Sequence, residues 1–307
     1  MKKAQIEVSF NWIFVLLAGF AILFFFYIII TSQTETSRET LSRTIVQRMG
    51  AVFDSMQANP NTAEVHNRVT FEIDFTCING VHEFRRGQSA SGSYLDHSII
   101  FTPKRIGNSE LLTQTIRMNF PFLTNSALLL SDRRTLYFFN EANRYYNMLD
   151  DLFEKAQGTY EQAEGNATSY RRVIFVTTNK NNIGINRPNN LDYVVINETE
   201  GTLNISGTQF NYSFSDQITL GAIIAGDYDL TMCNFEKINQ SFERLKFIIN
   251  DRMENMSTMV DDRCANLMQE NIITYNFSMK YDDYLLDYYN LETVNRNIER
   301  LGCPTIY

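Results

Sequence analysis

The sequence predicts an α+β protein, with α/β as the alternative. An N-terminal transmembrane helix continues into an amphipathic stalk and carries a mixed β-sheet head with a helical C-terminal third. Three observations predict this. Residues 10–30 hold no charge, and only Asn11 among them is strongly polar. Apolar residues then alternate or cluster in short runs between turn signals as far as residue 224. Over Phe235–Met256, and again over Leu291–Leu301, they recur at steps of three and four.

The anchor comes first. As a helix, Trp12 to Ile30 covers roughly 28 Å, the thickness of a bilayer's hydrocarbon layer. Lys2 and Lys3 precede it, and Trp12 and Tyr27 sit near its ends, where amphipathic rings favour the interface. Ile28-Ile29-Ile30-Thr31 is a poor cleavage site, so a retained signal-anchor is expected. Between Thr31 and Met56 there is no Pro and one Gly. Leu41, Ile45, Met49, Val52 and Met56 form an amphipathic stripe that leaves the membrane in the same rod, and Asn59-Pro60-Asn61 ends it. The expected organisation is 1–9 as a cytoplasmic N-terminus, 10–30 as the transmembrane helix, 31–58 as the stalk and 66–307 as the head.

Three signals set the orientation. Lys2 and Lys3 precede the span, whereas Arg38, Arg43 and Arg48 behind it are interleaved with Glu35 and Glu39. Cys77, Cys233, Cys264 and Cys303 all follow the anchor, with no CxxC or zinc-knuckle spacing. Two disulfides in an oxidising space are the natural reading, with three connectivities open; four buried thiols are the alternative. Sequons occur at Asn166, Asn197, Asn204, Asn211, Asn239, Asn255 and Asn276, again all beyond the anchor. The expectation is a single-pass protein of the cell membrane, N-terminus cytoplasmic and C-terminal domain extracytoplasmic. Its formal net charge is -8 and no Lys/Arg-rich run occurs, which argues against nucleic acid as a partner.

The head opens with a strand over Val69–Cys77, where apolar residues alternate with Thr70, Glu72, Asp74 and Thr76. Asn79-Gly80 predicts a hairpin turn to Val81–Arg85, and Gly87–Ser93 reads as a flexible loop. Further strands are expected at Ile99–Thr102, Leu112–Asn119, Ala127–Leu130 and Thr135–Phe139, with breaks at Pro103 and Pro121. Asn140 fits the N-cap of a helix with Tyr145, Leu149, Leu152, Phe153, Ala156 and Tyr160 on one face. With the strand Arg172–Thr178 behind it, this makes a β-α-β unit with parallel neighbours. After an Asn-rich loop over Asn179–Asn190, strands are expected at Tyr193–Ile196, Thr202–Ile205, Phe210–Phe214 and Ile218–Ile224. Phe235, Ile238, Phe242, Leu245, Ile249, Met253 and Met256 then mark a long helix, and Val260–Ile272 a second. Leu291, Val294, Ile298 and Leu301 mark a third, with Gly302 placed as its C′ cap.

Candidate chemistry is thin. Gly87-Gln88-Ser89-Ala90-Ser91-Gly92, near Asp96-His97, resembles a nucleophile elbow, but Ser91 stands where Gly is required and no helix pattern follows. His66, His82 and His97 lack metal-ligand spacing and read as surface or satisfied strand residues. Asp227-Tyr228-Asp229 begins like a calcium loop without the central Gly or terminal Glu. Asp150-Asp151, Asp261-Asp262 and Asp282-Asp283 read as solvated faces, and Tyr281, Tyr284, Tyr288 and Tyr289 as helix packing or a contact surface. No catalytic, cofactor-binding or metal residues are assigned, and no cofactor is expected.

Lys2-Lys3-Ala4-Gln5, followed at once by Ile6-Glu7-Val8-Ser9 and the apolar run, resembles the class III signal peptides of archaeal type IV pilin-like proteins. The resemblance implies cleavage before the apolar segment and packing of that helix into a filament core. The acid at the fifth mature position of such proteins is Phe10 here, with Glu7 at the second. Together these readings point to a non-enzymatic surface protein of structural or interaction role, with a pilin-like filament subunit as one form. A membrane-tethered ligand-binding module is the alternative, and a tethered hydrolase a third class. The expected partners are the lipid bilayer, further copies through the N-terminal helix, or other surface proteins.

Overall fold

A computed structural model describes residues 2–57, 62–78, 81–86, 92–95, 99–120, 122–184, 188–211, 216–260, 262–270, 293 and 295–303. Helix α1 runs without interruption over Lys2–Gln57. Seven strands follow: β1 (Ala63–Ile78), β2 (Val81–Arg86), β3 (Gly92–Leu95), β4 (Ile99–Phe101), β5 (Arg105–Phe120), β6 (Phe122–Asp132) and β7 (Thr135–Phe139). Then come α2 (Arg144–Met148), β8 (Lys155–Gln157), α3 (Tyr160–Asn166), β9 (Arg172–Thr177), β10 (Leu191–Asn197), β11 (Thr202–Ile205) and β12 (Thr208–Asn211). Helices α4 (Asp216–Ala225), α5 (Tyr228–Ser257) and α6 (Asp262–Glu270) complete the series, with a further helical run at 295–300.

The strands form two sheets. The first has the order β3-β2-β1-β5-β6-β4 and is antiparallel except for β4 against β6. The second has the order β12-β11-β10-β9-β7-β8, with β7 to β10 parallel and β11 and β12 antiparallel. Only Arg133 and Arg134 separate the sheets along the chain. Asp132 holds that corner: its carboxylate, 1% exposed, accepts from Gly107 N at 3.0 Å, Arg134 N at 3.0 Å and Thr135 Oγ1 at 3.1 Å. A buried carboxylate is tolerable there because hydrogen bonds replace its water. Gly107 itself sits opposite an irregularity in β1, and a Cβ on it would lie 2.1 Å from the Phe71 carbonyl oxygen.

Among the described residues, three apolar clusters hold the head together. Helix α4 lies between the sheets: Ile218, Leu220, Ile223 and Ile224 share one cluster with Phe101 and Leu129 of the first sheet and Val176 and Ile196 of the second. On the far side of the first sheet, Phe53 of α1 packs with Ile73, Phe75, Phe84, Ile100, Leu128 and Leu230. On the far side of the second, Tyr160 and Ala163 of α3 cover Leu136, Phe138, Val173 and Phe175. The first sheet is strongly curled, because Asn234 of α5 reaches both His82 in β2 and the backbone of Ile100 in β4, strands distant in the sheet order.

Several expectations hold. The β1–β2 hairpin pairs Ile78 with Val81, β7 and β9 are parallel neighbours, and β10, β11, α5 and α6 fall where their patterns place them. Gly302 adopts φ +73°, with Cys303 N donating to Ile298 O at 3.0 Å and Gly302 N to Glu299 O at 2.9 Å. That is the hydrogen-bond pair of a Schellman cap.

Others are corrected. Ile218–Ile224 is helix, not strand: a run that is apolar but for Thr219 and Gly221 has no period to read, and its residues are all buried. The helix expected from Asn140 is α2, β8 and α3 in succession. Asn143 is the cap of α2, its side chain accepting from Tyr146 N, and Leu149 leaves the helix in an extended conformation. Gly158, at φ +153°, separates β8 from α3. Gly92 and Ser93 belong to β3, paired with Arg85 and Phe84, rather than to a loop. Among the described side chains of α1, Phe53 is buried, with Gly50 one turn before it, and Met49 and Met56 pack beside it, while Val52 of the expected stripe is exposed. Of the two readings open for His82, the satisfied strand residue holds: it is wholly buried in β2 and bonds Asn234.

Candidate functional site

A cleft of about 990 Å³ lies where the two sheets and the start of α5 meet. Local sequence puts charge there. Lys104-Arg105 opens β5, Arg171-Arg172 opens β9, Asp192 lies near the start of β10, and Asp227 and Asp229 begin α5. Asp227 caps α5, its Oδ1 accepting from Leu230 N at 3.1 Å, so it serves the helix rather than a calcium loop.

Each of these cations is answered. Arg105 Nε lies 2.6 Å from Asp74 Oδ1, and Arg171 Nη2 lies 2.9 Å from Glu72 Oε1. Arg172 Nε donates to Asp192 Oδ2 at 2.8 Å and its Nη2 to Gly226 O at 3.0 Å. Lys104 Nζ lies 2.8 Å from Asp227 and 3.5 Å from Asp229. Partial burial alone would lower the Lys104 pKa, but Asp227, with Asp229 behind it, holds it above the ordinary lysine value. The cleft also lies at the amino ends of the parallel strands, opposite the carboxyl ends where open α/β sheets take ligands. Its chemistry is that of a brace: Arg171 and Arg172 of the second sheet tie to Glu72 of the first sheet and to Gly226 beyond α4.

The disulfide Cys77–Cys233 forms one wall of this cleft and fastens β1 to α5. The second, Cys264–Cys303, ties α6 to the residue that follows the Gly302 cap. All four candidate cysteines are therefore paired, in one of the three connectivities. Beside the first disulfide, His82 Nε2 meets Asn234 Oδ1 at 2.8 Å. That oxygen already accepts from Ile100 N at 3.0 Å, so Nε2 carries the proton and Nδ1 is bare. Burial, reinforced by the charge of Lys237, pushes the His82 pKa down to about 4, although the Asn234 bond opposes this. His82 is a fold-holding residue that spacing could not reveal.

Those of the remaining candidates that are described do not converge. Ser89, Asp96, His97, Asp261, Asp282, Asp283, Asn276 and the four tyrosines from Tyr281 to Tyr289 lie outside the described residues. His66 bonds Thr113 Oγ1 at 2.9 Å within the first sheet. Asp150 Oδ1 accepts from Leu152 N at 2.9 Å, and Asp151 pairs with Lys155 at 2.7 Å. Among the described residues no three His, Cys, Asp or Glu side chains gather as a metal site. Of the sequons, Asn204 is buried, whereas Asn197 borders an exposed turn and Asn255 is exposed on α5.

One further surface stands out. No residue of Val15–Gln33 is buried, and among the described residues this is the one helical segment long and apolar enough to cross a membrane. Leu16, Phe20, Leu23 and Tyr27 are each at least 65% exposed. No protein-family model, curated protein or solved structure matches this chain.

Proposed function

We propose that this chain is a single-pass membrane-anchored surface protein, whose head is held outside the membrane on α1 for a structural or interaction role. The observation that carries the reading is the continuity of α1. One helix of 56 residues begins with an unburied apolar stretch and ends with Phe53 buried among the strands. The sixteen or so residues between Gln33 and Met49 span about 24 Å as a helix, enough to hold the head clear of the lipid headgroups. Two disulfides in the head support an oxidising location. The brace-like cleft favours an interaction scaffold over a ligand-binding module. Protease added to intact cells is expected to remove the head while leaving a cytoplasmic marker whole; a protected head would overturn the orientation.

The resemblance of residues 2–9 to pilin-like signal peptides supports one special form of this reading, a filament subunit whose apolar helix is covered by further copies. Ladders of cross-linked multimers from intact cells would support it, and a monomer alone would exclude it.

A further inference from the structure

We propose that the turn joining β10 to β11 is an N-glycosylation site with Asn197 as the acceptor, and that Asn204, seven residues on, is not one. The proposal rests on the outward-facing reading above. A sequon is usable on the folded head where its Asn and the hydroxyl residue two positions later both reach the surface outside a regular helix.

The described sequons divide on this test. Asn255 and Ser257 lie in α5, where positions two apart point about 200° away from each other around the axis. Ser257 is buried besides, and its hydroxyl donates to Glu254 O at 2.7 Å. Asn204 is 8% exposed in β11, between β10 and β12. Its Oδ1 accepts from Gly207 N at 3.0 Å, and the hydroxyl of its sequon, on Ser206, donates to Asp192 at 3.1 Å. Asn166 ends α3 with its Nδ2 already donating to Gln162 O at 2.8 Å.

Asn197 is different. It closes β10, where the ladder ends in the pair Asn197–Thr202, and Glu198, Thr199 and Glu200 follow as an exposed turn. The Asn197 Oδ1 accepts from Glu200 N at 3.1 Å, which fixes the carboxamide by its oxygen and leaves the nitrogen out of the turn's own bonding. Glu198 is anchored to Arg144 at 3.0 Å, so the turn has a defined shape. The donor class is a lipid-linked glycosyl phosphate, handled by a membrane-bound transferase, and a head tethered by α1 stays within its reach. Asn197 Nδ2 attacks the anomeric carbon. The nitrogen–carbon bond forms as the carbon–oxygen bond to phosphate breaks. The lipid phosphate leaves with the electron pair, and Nδ2 gives up one proton to a base of the transferase.

The test is glycopeptide mass spectrometry on the full chain, purified in detergent from the cells that naturally make it, beside Asn197→Gln, Thr199→Ala and Thr199→Ser. A glycan mass is expected on the Asn197 peptide of the parent and of Thr199→Ser. It should be lost in Asn197→Gln and Thr199→Ala, and the Asn204 peptide should be bare throughout. A bare Asn197 in a chain whose head is digested on intact cells overturns this proposal alone, as does a glycan on Asn204. A bare Asn197 in a chain whose head resists that digestion overturns the orientation together with it.

Discussion

The ring of Phe53, near the end of α1, lies 5.6 Å from the ring of Phe84 in β2 and meets it edge-on at 63°. Phe84 in turn stacks on Phe75 of β1 at 5.9 Å. Phe53 and Phe84 are 1% and 0% exposed, so the helix with the unburied apolar stretch is joined to the head through its core. Phe53→Ala is expected to cost the head about 3–5 kcal/mol, and Phe53→Leu much less, since a smaller cavity is left. Urea unfolding of the detergent-solubilised protein checks this; equal stability of Phe53→Ala and the parent would mean that the contact holds nothing.

His82 makes the fold sensitive to acid. Its pKa is about 4 in the folded protein and near the ordinary 6.5 once unfolded. Between those values the unfolded chain binds more protons, so stability falls as pH drops from about 6.5 towards 4. At pH 4.5 this one group removes roughly 2 kcal/mol relative to pH 7. Unfolding free energies measured at both pH values should show that loss, and His82→Gln should reduce it by about that amount.

Gly221 lets α4 fit between the sheets. A Cβ there would stand 2.4 Å from the ring of Phe101, whose strand it packs on. Ala is the better helix former by about 1 kcal/mol, but overpacking a closed core costs about 1–3 kcal/mol. Gly221→Ala is therefore expected to lower the melting temperature, whereas Gly165→Ala on α3, where a Cβ meets nothing within 4 Å, should raise or preserve it.

The disulfides bound the chain's freedom unequally. Cys77 and Cys233 are 156 residues apart and Cys264 and Cys303 are 39 apart. On a chain-entropy account their removal costs about 5 and about 4 kcal/mol. Non-reducing peptide mapping should recover those two pairs, and Cys77→Ser with Cys233→Ser should destabilise the head more than the Cys264–Cys303 counterpart. The opposite order would show that native contacts, not chain entropy, set the difference.

How far the fold was legible follows from what each segment has to face. The strand around Phe71–Phe75 has one side on a core, so its alternation shows; the β7 and β9 runs have no alternation but are short and bounded. Ile218–Ile224 is equally apolar and equally short, and only its place between two sheets makes it a helix. The Asn140–Tyr160 stretch carries a fair helical stripe, yet Leu149 and Gly158 divide it to let β8 join the edge of the sheet. The cleft was hidden for a different reason: Asp74, Arg105, Arg171, Asp192 and Asp229 come from five separate elements, and nothing local couples them. His82 and Asn234, 152 residues apart, are joined only by the curl of the first sheet.

The most direct test of the central claim is alkaline washing of membranes from cells that make the full chain, with a version lacking residues 2–33 as its partner. The account predicts that the full chain stays with the lipid until detergent is added, and that the shortened chain is released as a folded, soluble head. A full chain that enters the wash without detergent would contradict the claim that Val15–Gln33 lies in the bilayer.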